Sequence, residues 1–188
     1  HIGGDECPKV RWEKCPRCQA RIRQLGLRDK DGYTAEHYLQ GYVTDRIGKY
    51  LAERGRRIIG WDEILEGQAP SDAIVMSWRG SAGGIKAAKL GHDVIMTPNS
   101  HFYFDYYQSP DADAEPFGIG GCVTIDKVYS FDPMADLTPG QQAHILGVQA
   151  NLWTEYIASD DHLEYMLLPR LAALSEVQWC DRGSREWT

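Results

Sequence analysis

The chain has 188 residues, 43% hydrophobic and 11% aromatic, with 20 Lys+Arg against 27 Asp+Glu for a formal net charge of −7. That length and composition support one globular core, and the acidic balance argues against a nucleic-acid or anionic-membrane surface, which needs clustered Lys and Arg. No apolar run approaches the roughly 20 residues of a membrane-spanning helix, and the one basic cluster, Arg54 to Arg57, closes a predicted helix.

In chain order, the first element is the hexapeptide His1-Ile2-Gly3-Gly4-Asp5-Glu6. It carries neither an initiator Met nor a signal-peptide pattern, so a piece of a longer protein is expected. Gly3-Gly4 lets the backbone turn tightly. Asp5-Glu6, taken as the extended end of a strand, would send two carboxylates to opposite sides. Next comes Cys15-Pro16-Arg17-Cys18, with Cys7 ahead of it and Cys122 and Cys180 far downstream. An odd cysteine count forbids a complete disulfide framework within one chain. Three readings stand: unbridged thiols, a disulfide, or a zinc site in which Cys7, Cys15 and Cys18 join a fourth ligand.

Residues 35–54 place Leu39, Val43, Ile47, Tyr50 and Leu51 on a 3.6-residue stripe that ends at Gly55, the pattern of an amphipathic helix with a glycine stop. Continuous apolar runs follow at 57–61, 73–78, 92–97 and 145–153, separated by helical patterns at 81–90 and 169–178. Such runs fit strands buried on both faces, as in a parallel sheet covered by helices. Strand–loop–helix repetition gives an α/β fold, and four strands amount to half of a (β/α)8 TIM barrel.

In such barrels the chemistry sits at the carboxyl ends of the strands. Here those ends carry Trp61, Trp78, then Tyr103 with Asp105, and Trp153 with Glu155. Indole faces stack on sugar C–H faces and carboxylates bind hydroxyls, so this set predicts a pyranose pocket.

The hexapeptide resembles the H-x-G-G-D-E signature of glycoside hydrolase family 20, the β-N-acetylhexosaminidases. Gly60-Trp61-Asp62-Glu63, Ser77-Trp78-Arg79-Gly80, Tyr103-Phe104-Asp105 and Asn151-Leu152-Trp153-Thr154-Glu155-Tyr156 are similar to the family's further blocks, in the same order. The resemblance implies that residues 1–188 are the C-terminal half of the catalytic barrel, from the end of about the fourth strand to the last helix. It implies removal of terminal β-linked N-acetylglucosamine or N-acetylgalactosamine, with the substrate's acetamido oxygen as nucleophile and an oxazolinium intermediate.

In that scheme Glu6 is general acid and then base, Asp5 orients the acetamido N–H, and Tyr103 holds its oxygen. Trp61, Trp78 and Trp153 wall the sugar and its methyl group, Asp105 and Glu155 bind outer hydroxyls, and His1 contributes a supporting hydrogen bond. No metal or organic cofactor is implied. The implied location is periplasmic or secreted, and the implied partners are a glycan with a terminal N-acetylhexosamine and the missing N-terminal half of the barrel, with its sugar-gripping arginine. Competing readings are a non-catalytic carbohydrate-binding module on a degenerate hydrolase fold, a fragment inactive by itself, and a metal-stapled domain around the cysteines.

Overall fold

The computed structural model describes residues 1–186. Three helices come first: α1 (Val10–Lys14), α2 (Pro16–Leu25) and α3 (Ala35–Ala52). The rest alternates: β1 (Ile59–Trp61), β2 (Ile74–Ser77), α4 (Ala82–Lys89), β3 (Val94–Met96), α5 (Asn99–Phe102), α6 (Ile125–Ser130), α7 (Pro139–Gln142), β4 (Ile145–Val148), α8 (Asp160–Leu167) and α9 (Arg170–Trp179).

All four strands are parallel and lie in the order β1-β2-β3-β4, so each neighbours the strand before it in sequence. Gly60 pairs with Val75, Met76 with Ile95, and Ile95 with Gly147 after a register break beside Val94. The opening hexapeptide runs beside β1 without becoming a strand of the sheet: Ile2 N–H donates to Ile59 O at 2.9 Å and Trp61 N–H to Gly3 O at 3.0 Å. All the strand ends that bear candidate groups therefore open on one side.

The β-branched runs form strands where the helices cover them, most fully at β2 and least at β4. Val75 and Val94 are fully buried, as are Ala87 on α4, Phe102, Phe104, Val123 and Val128. α3 ends as the sequence predicts, with Gly55 at φ +67° and Arg56 N–H bonded back to Leu51 O at 3.0 Å. Leu146 and Leu171 remain exposed beside an apolar hollow of about 480 Å³ along β4. A second hollow, of about 580 Å³, lies on the inner face between Met76, Asn151 and Trp61. Among the described residues no helix is long and apolar enough to cross a membrane.

Two expectations are corrected. The predicted strand 145–153 stops at Val148, and beyond it Asn151 makes only an isolated bridge to Tyr103. Asp5-Glu6 is not an extended strand end either: Glu6 has φ +43°, so the chain bends at the second carboxylate. Several helices carry no sequence stripe because they bury almost nothing. α1 has no buried residue, α2 buries only Ile22 and α8 only Met166.

Candidate active site

The bend is built by glycine. Gly4 sits at φ +102°, and a Cβ there would lie 2.6 Å from Ile64 Cγ2, so only glycine lets the chain pass Ile64 and release Asp5 and Glu6 toward solvent. Both carboxylates open onto a cavity of about 250 Å³ whose other walls are Trp61, Trp78, Tyr103, Trp153 and Glu155. Seven of the predicted site residues thus share one hollow.

Its aromatic wall is continuous. Trp61 meets Trp153 at 6.1 Å between ring centroids, Trp153 meets Tyr103 at 6.4 Å, and Tyr103 stacks on Trp78 at 6.2 Å with 19° between the planes. Burial pushes the Tyr103 phenol up to about 12, despite contacts to Trp153 and Asn151 that work the other way. The hydroxyl therefore keeps its proton at neutral pH and can donate it. Asn151 fixes this corner: its N–H donates to Phe102 O, its carbonyl accepts from Phe104 N–H, and its side chain donates to Thr97 Oγ1 at 2.8 Å. His1 lies outside the cavity lining. Its Nδ1 accepts from Gly3 N–H at 3.1 Å and its ring packs edge-on against Trp61.

Asp105 stands one layer deeper than predicted. It is 6% exposed and borders not the main cavity but an adjoining void of about 10 Å³, shared with Glu155, Trp153 and His162. Its Oδ1 and the Nε2 of His162 are buried and have no hydrogen-bond partner among the described residues. Burial raises the Asp105 carboxyl to about 6, backbone N–H groups partly offset this, and Glu155 adds repulsion while Arg170 relieves it. Arg170 is fully buried and its guanidinium donates to the carbonyls of Phe104, Tyr106, Val123 and Met166. It pins the loop on which Asp105 rides.

Behind Trp78 lies a charged cluster. Asp62, 2% exposed, accepts from the backbone of Trp78 and Arg79 and from Arg79 Nε at 2.6 Å. Glu63 Oε2 accepts from Trp78 Nε1 at 2.9 Å, which sets the angle of the indole. Burial raises the Glu63 carboxyl, and the bond from Trp78 opposes that rise. Arg79 also pairs with Glu66 at 2.6 Å.

The family model described as glycosyl hydrolase family 20, catalytic domain, matches residues 1–182. The chain belongs to glycosyl hydrolase family 20. A β-hexosaminidase of Porphyromonas gingivalis is 46% identical over the whole chain, and one of Vibrio furnissii is 32% identical over 93% of it. The chain spans 23% and 28% of those two proteins. A solved family 20 exo-β-N-acetylglucosaminidase from Vibrio harveyi, in complex with N-acetylglucosamine, superposes on all of the chain with a TM-score of 0.84 and 31% identity, over 29% of its own length. The parallel sheet is accordingly part of the family 20 TIM barrel.

Within this family 20 segment, Asp62, Glu63 and Arg79 carry a positioning role that sequence reasoning left unassigned. The available signal was an acidic pair directly after one strand and an arginine directly after the next, which a parallel sheet brings side by side. All five cysteines are free, and among the described residues no group of three or more His, Cys, Asp or Glu side chains is gathered closely enough to hold a metal ion. Cys15 stands at the N-terminal boundary of α2, and hydrogen bonds from the backbone and thiol of Cys18 lower its own thiol, while Cys18 is raised by the same thiol contact.

Proposed function

We propose that this chain supplies the carboxylates and sugar pocket of a β-N-acetylhexosaminidase that removes terminal N-acetylglucosamine or N-acetylgalactosamine with retention of configuration. The observation that carries the reading is the single 250 Å³ hollow that gathers Asp5, Glu6, Tyr103, three indoles and Glu155. Such a hollow, walled by aromatic faces and fringed by carboxylates, fits one pyranose ring. The N-acetylglucosamine bound to the Vibrio harveyi relative supports the same choice of sugar.

Glu6 protonates the glycosidic oxygen and later takes a proton from water. Asp5 accepts the acetamido N–H and faces the positive charge that develops on the ring, which lowers the barrier more than it tightens ground-state binding. The Tyr103 hydroxyl donates to the acetamido oxygen and holds it beneath the anomeric carbon. Trp61, Trp78 and Trp153 exclude water around the acetamido methyl. Glu155 and, from the deeper layer, Asp105 accept from the outer hydroxyls, which favours cleavage of single terminal sugars. His1 steadies the turn into the carboxylates. The open face of β4 and the inner hollow take the remaining half of the barrel as their partner. A periplasmic or secreted location follows from the extracellular nature of such glycans.

The test is hydrolysis of a chromogenic N-acetyl-β-glucosaminide by this chain alone and by the chain joined to the first half of a family barrel. Glu6→Gln and Asp5→Asn in the joined protein should each lower the rate by about two orders of magnitude or more. A folded, joined protein that binds the sugar without cleaving it would remove the catalytic assignment and leave a binding module.

A further inference from the structure

We infer that Gln40, on α3 and outside the pocket, is a positioning residue that fastens both ends of the Asp5-Glu6 corner; this rests on the hexosaminidase reading above. Its Nε2 donates to Gly4 O at 2.8 Å, immediately before the carboxylate pair. Its Oε1 accepts from Lys9 Nζ at 2.5 Å, and the same ammonium donates to Cys7 O at 2.5 Å, immediately after the pair. One amide therefore reaches the two carbonyls that flank Asp5 and Glu6, the first directly and the second through one charge-assisted link.

The corner has little else to hold it. Among the described residues, no other hydrogen bond engages the backbone of residues 4–8. Asp5 and Glu6 are both exposed, so packing does not lock them. Glu6 sits at φ +43°, a region that a residue with a Cβ seldom occupies without support from its surroundings. The following helix, α1, is five residues long and buries none of them. α3, by contrast, spans eighteen residues and begins with a capping box at Thr34 and His37, so it offers a rigid mount. A second tie runs alongside: Gln19 Nε2 donates to Trp12 O and to Glu36 Oε1, which anchors the end of α1 to α3.

A tether of this kind governs where the acid's proton arrives. Proton delivery matters most when the leaving oxygen is basic and little when the leaving group is already stable as an anion. Loss of Gln40 therefore has a signature that general destabilisation lacks.

The experiment uses the chain within a complete barrel and two N-acetyl-β-glucosaminides, one with a dinitrophenyl and one with a simple alkyl leaving group. Gln40→Leu is expected to lower kcat/KM, which reports the acid-assisted first step, on the alkyl glycoside by about tenfold or more relative to the dinitrophenyl substrate. Lys9→Met, which cuts the Cys7 arm and leaves the bond from Gln40 to Gly4, should give the same leaving-group dependence at smaller size. An equal loss on both substrates, or none, overturns the inference. So does loss of the folded circular dichroism spectrum in both variants, since a tether confined to the corner leaves the core intact. A wild-type barrel that folds yet cleaves neither substrate instead overturns the hexosaminidase reading and takes this inference with it.

Discussion

Asp105→Asn should make the protein more stable as the pH rises while it impairs substrate binding. The carboxyl is raised from its ordinary 3.8 to about 6, chiefly by burial, with Glu155 opposing and Arg170 assisting its ionisation. A group that holds its proton more tightly folded than unfolded contributes stability that is complete below pH 3.8 and is lost as the pH climbs through 6. At about 1.4 kcal/mol per pH unit the full loss is roughly 3 kcal/mol, of which about 2 kcal/mol falls between pH 4 and pH 8. Asparagine has no proton to lose. Urea unfolding of both proteins at several pH values should therefore show the variant gaining about 2 kcal/mol on the wild type over that interval. A difference constant to within about 0.5 kcal/mol would refute the claim that Asp105 ionises at a cost in its buried position.

Arg170→Met deprives the carbonyls of Phe104, Tyr106, Val123 and Met166 of their guanidinium donors. At about 1 kcal/mol or more for each orphaned group, the loss is about 4 kcal/mol or greater, and thermal denaturation showing under about 1 kcal/mol would contradict it. Glu63→Leu removes the acceptor from Trp78 Nε1; the freed indole should raise KM for N-acetyl sugars several-fold, with the thermal midpoint less affected, as steady-state kinetics and melting curves would reveal. Gly41→Ala would place a Cβ 2.8 Å from Gln68 N and 3.1 Å from Gln68 O, both backbone atoms that cannot swing aside. A loss of about 1–3 kcal/mol is expected in denaturant titration, against almost none for Gly140→Ala, where nothing lies within 4 Å.

The readable parts of this chain are those where burial shapes composition. Val75 and Val94 announce strands because helices and neighbouring strands bury them completely; the stripe that announces α3 does not mark its packed side, since Val43, Ile47 and Tyr50 are exposed and the helix buries Leu39 with Gly41, Thr44 and Gly48. α2 escapes notice since Ile22 is the one buried residue among its ten largely polar ones. The pocket residues were legible because a parallel sheet sends every strand's carboxyl end to the same side, so Trp61, Trp78, Tyr103 and Trp153 had to meet. Depth was not legible. Nothing in Tyr103-Phe104-Asp105 distinguishes a carboxylate on the cavity wall from one sunk beside His162, because that depends on how α8 covers the loop. Nor could spacing reveal Gln40, whose thirty-six-residue reach to Gly4 is a property of how α3 crosses the hexapeptide.

The consecutive order of the sheet also carries a history of assembly. Each strand pairs with the strand synthesised just before it, the widest step being from Val94 in β3 to Ile145 in β4, so no strand skips over another to find its neighbour. Within this segment Asp5 and Glu6 are made well before the wall that would let them discriminate a sugar, which is finished only when Trp153 and Glu155 emerge and α9 brings Arg170 beneath the Asp105 loop. A nascent chain halted before residue 150 would hold its acids beside Trp61, Trp78 and Tyr103 and lack the side of the pocket that Trp153 and Glu155 close.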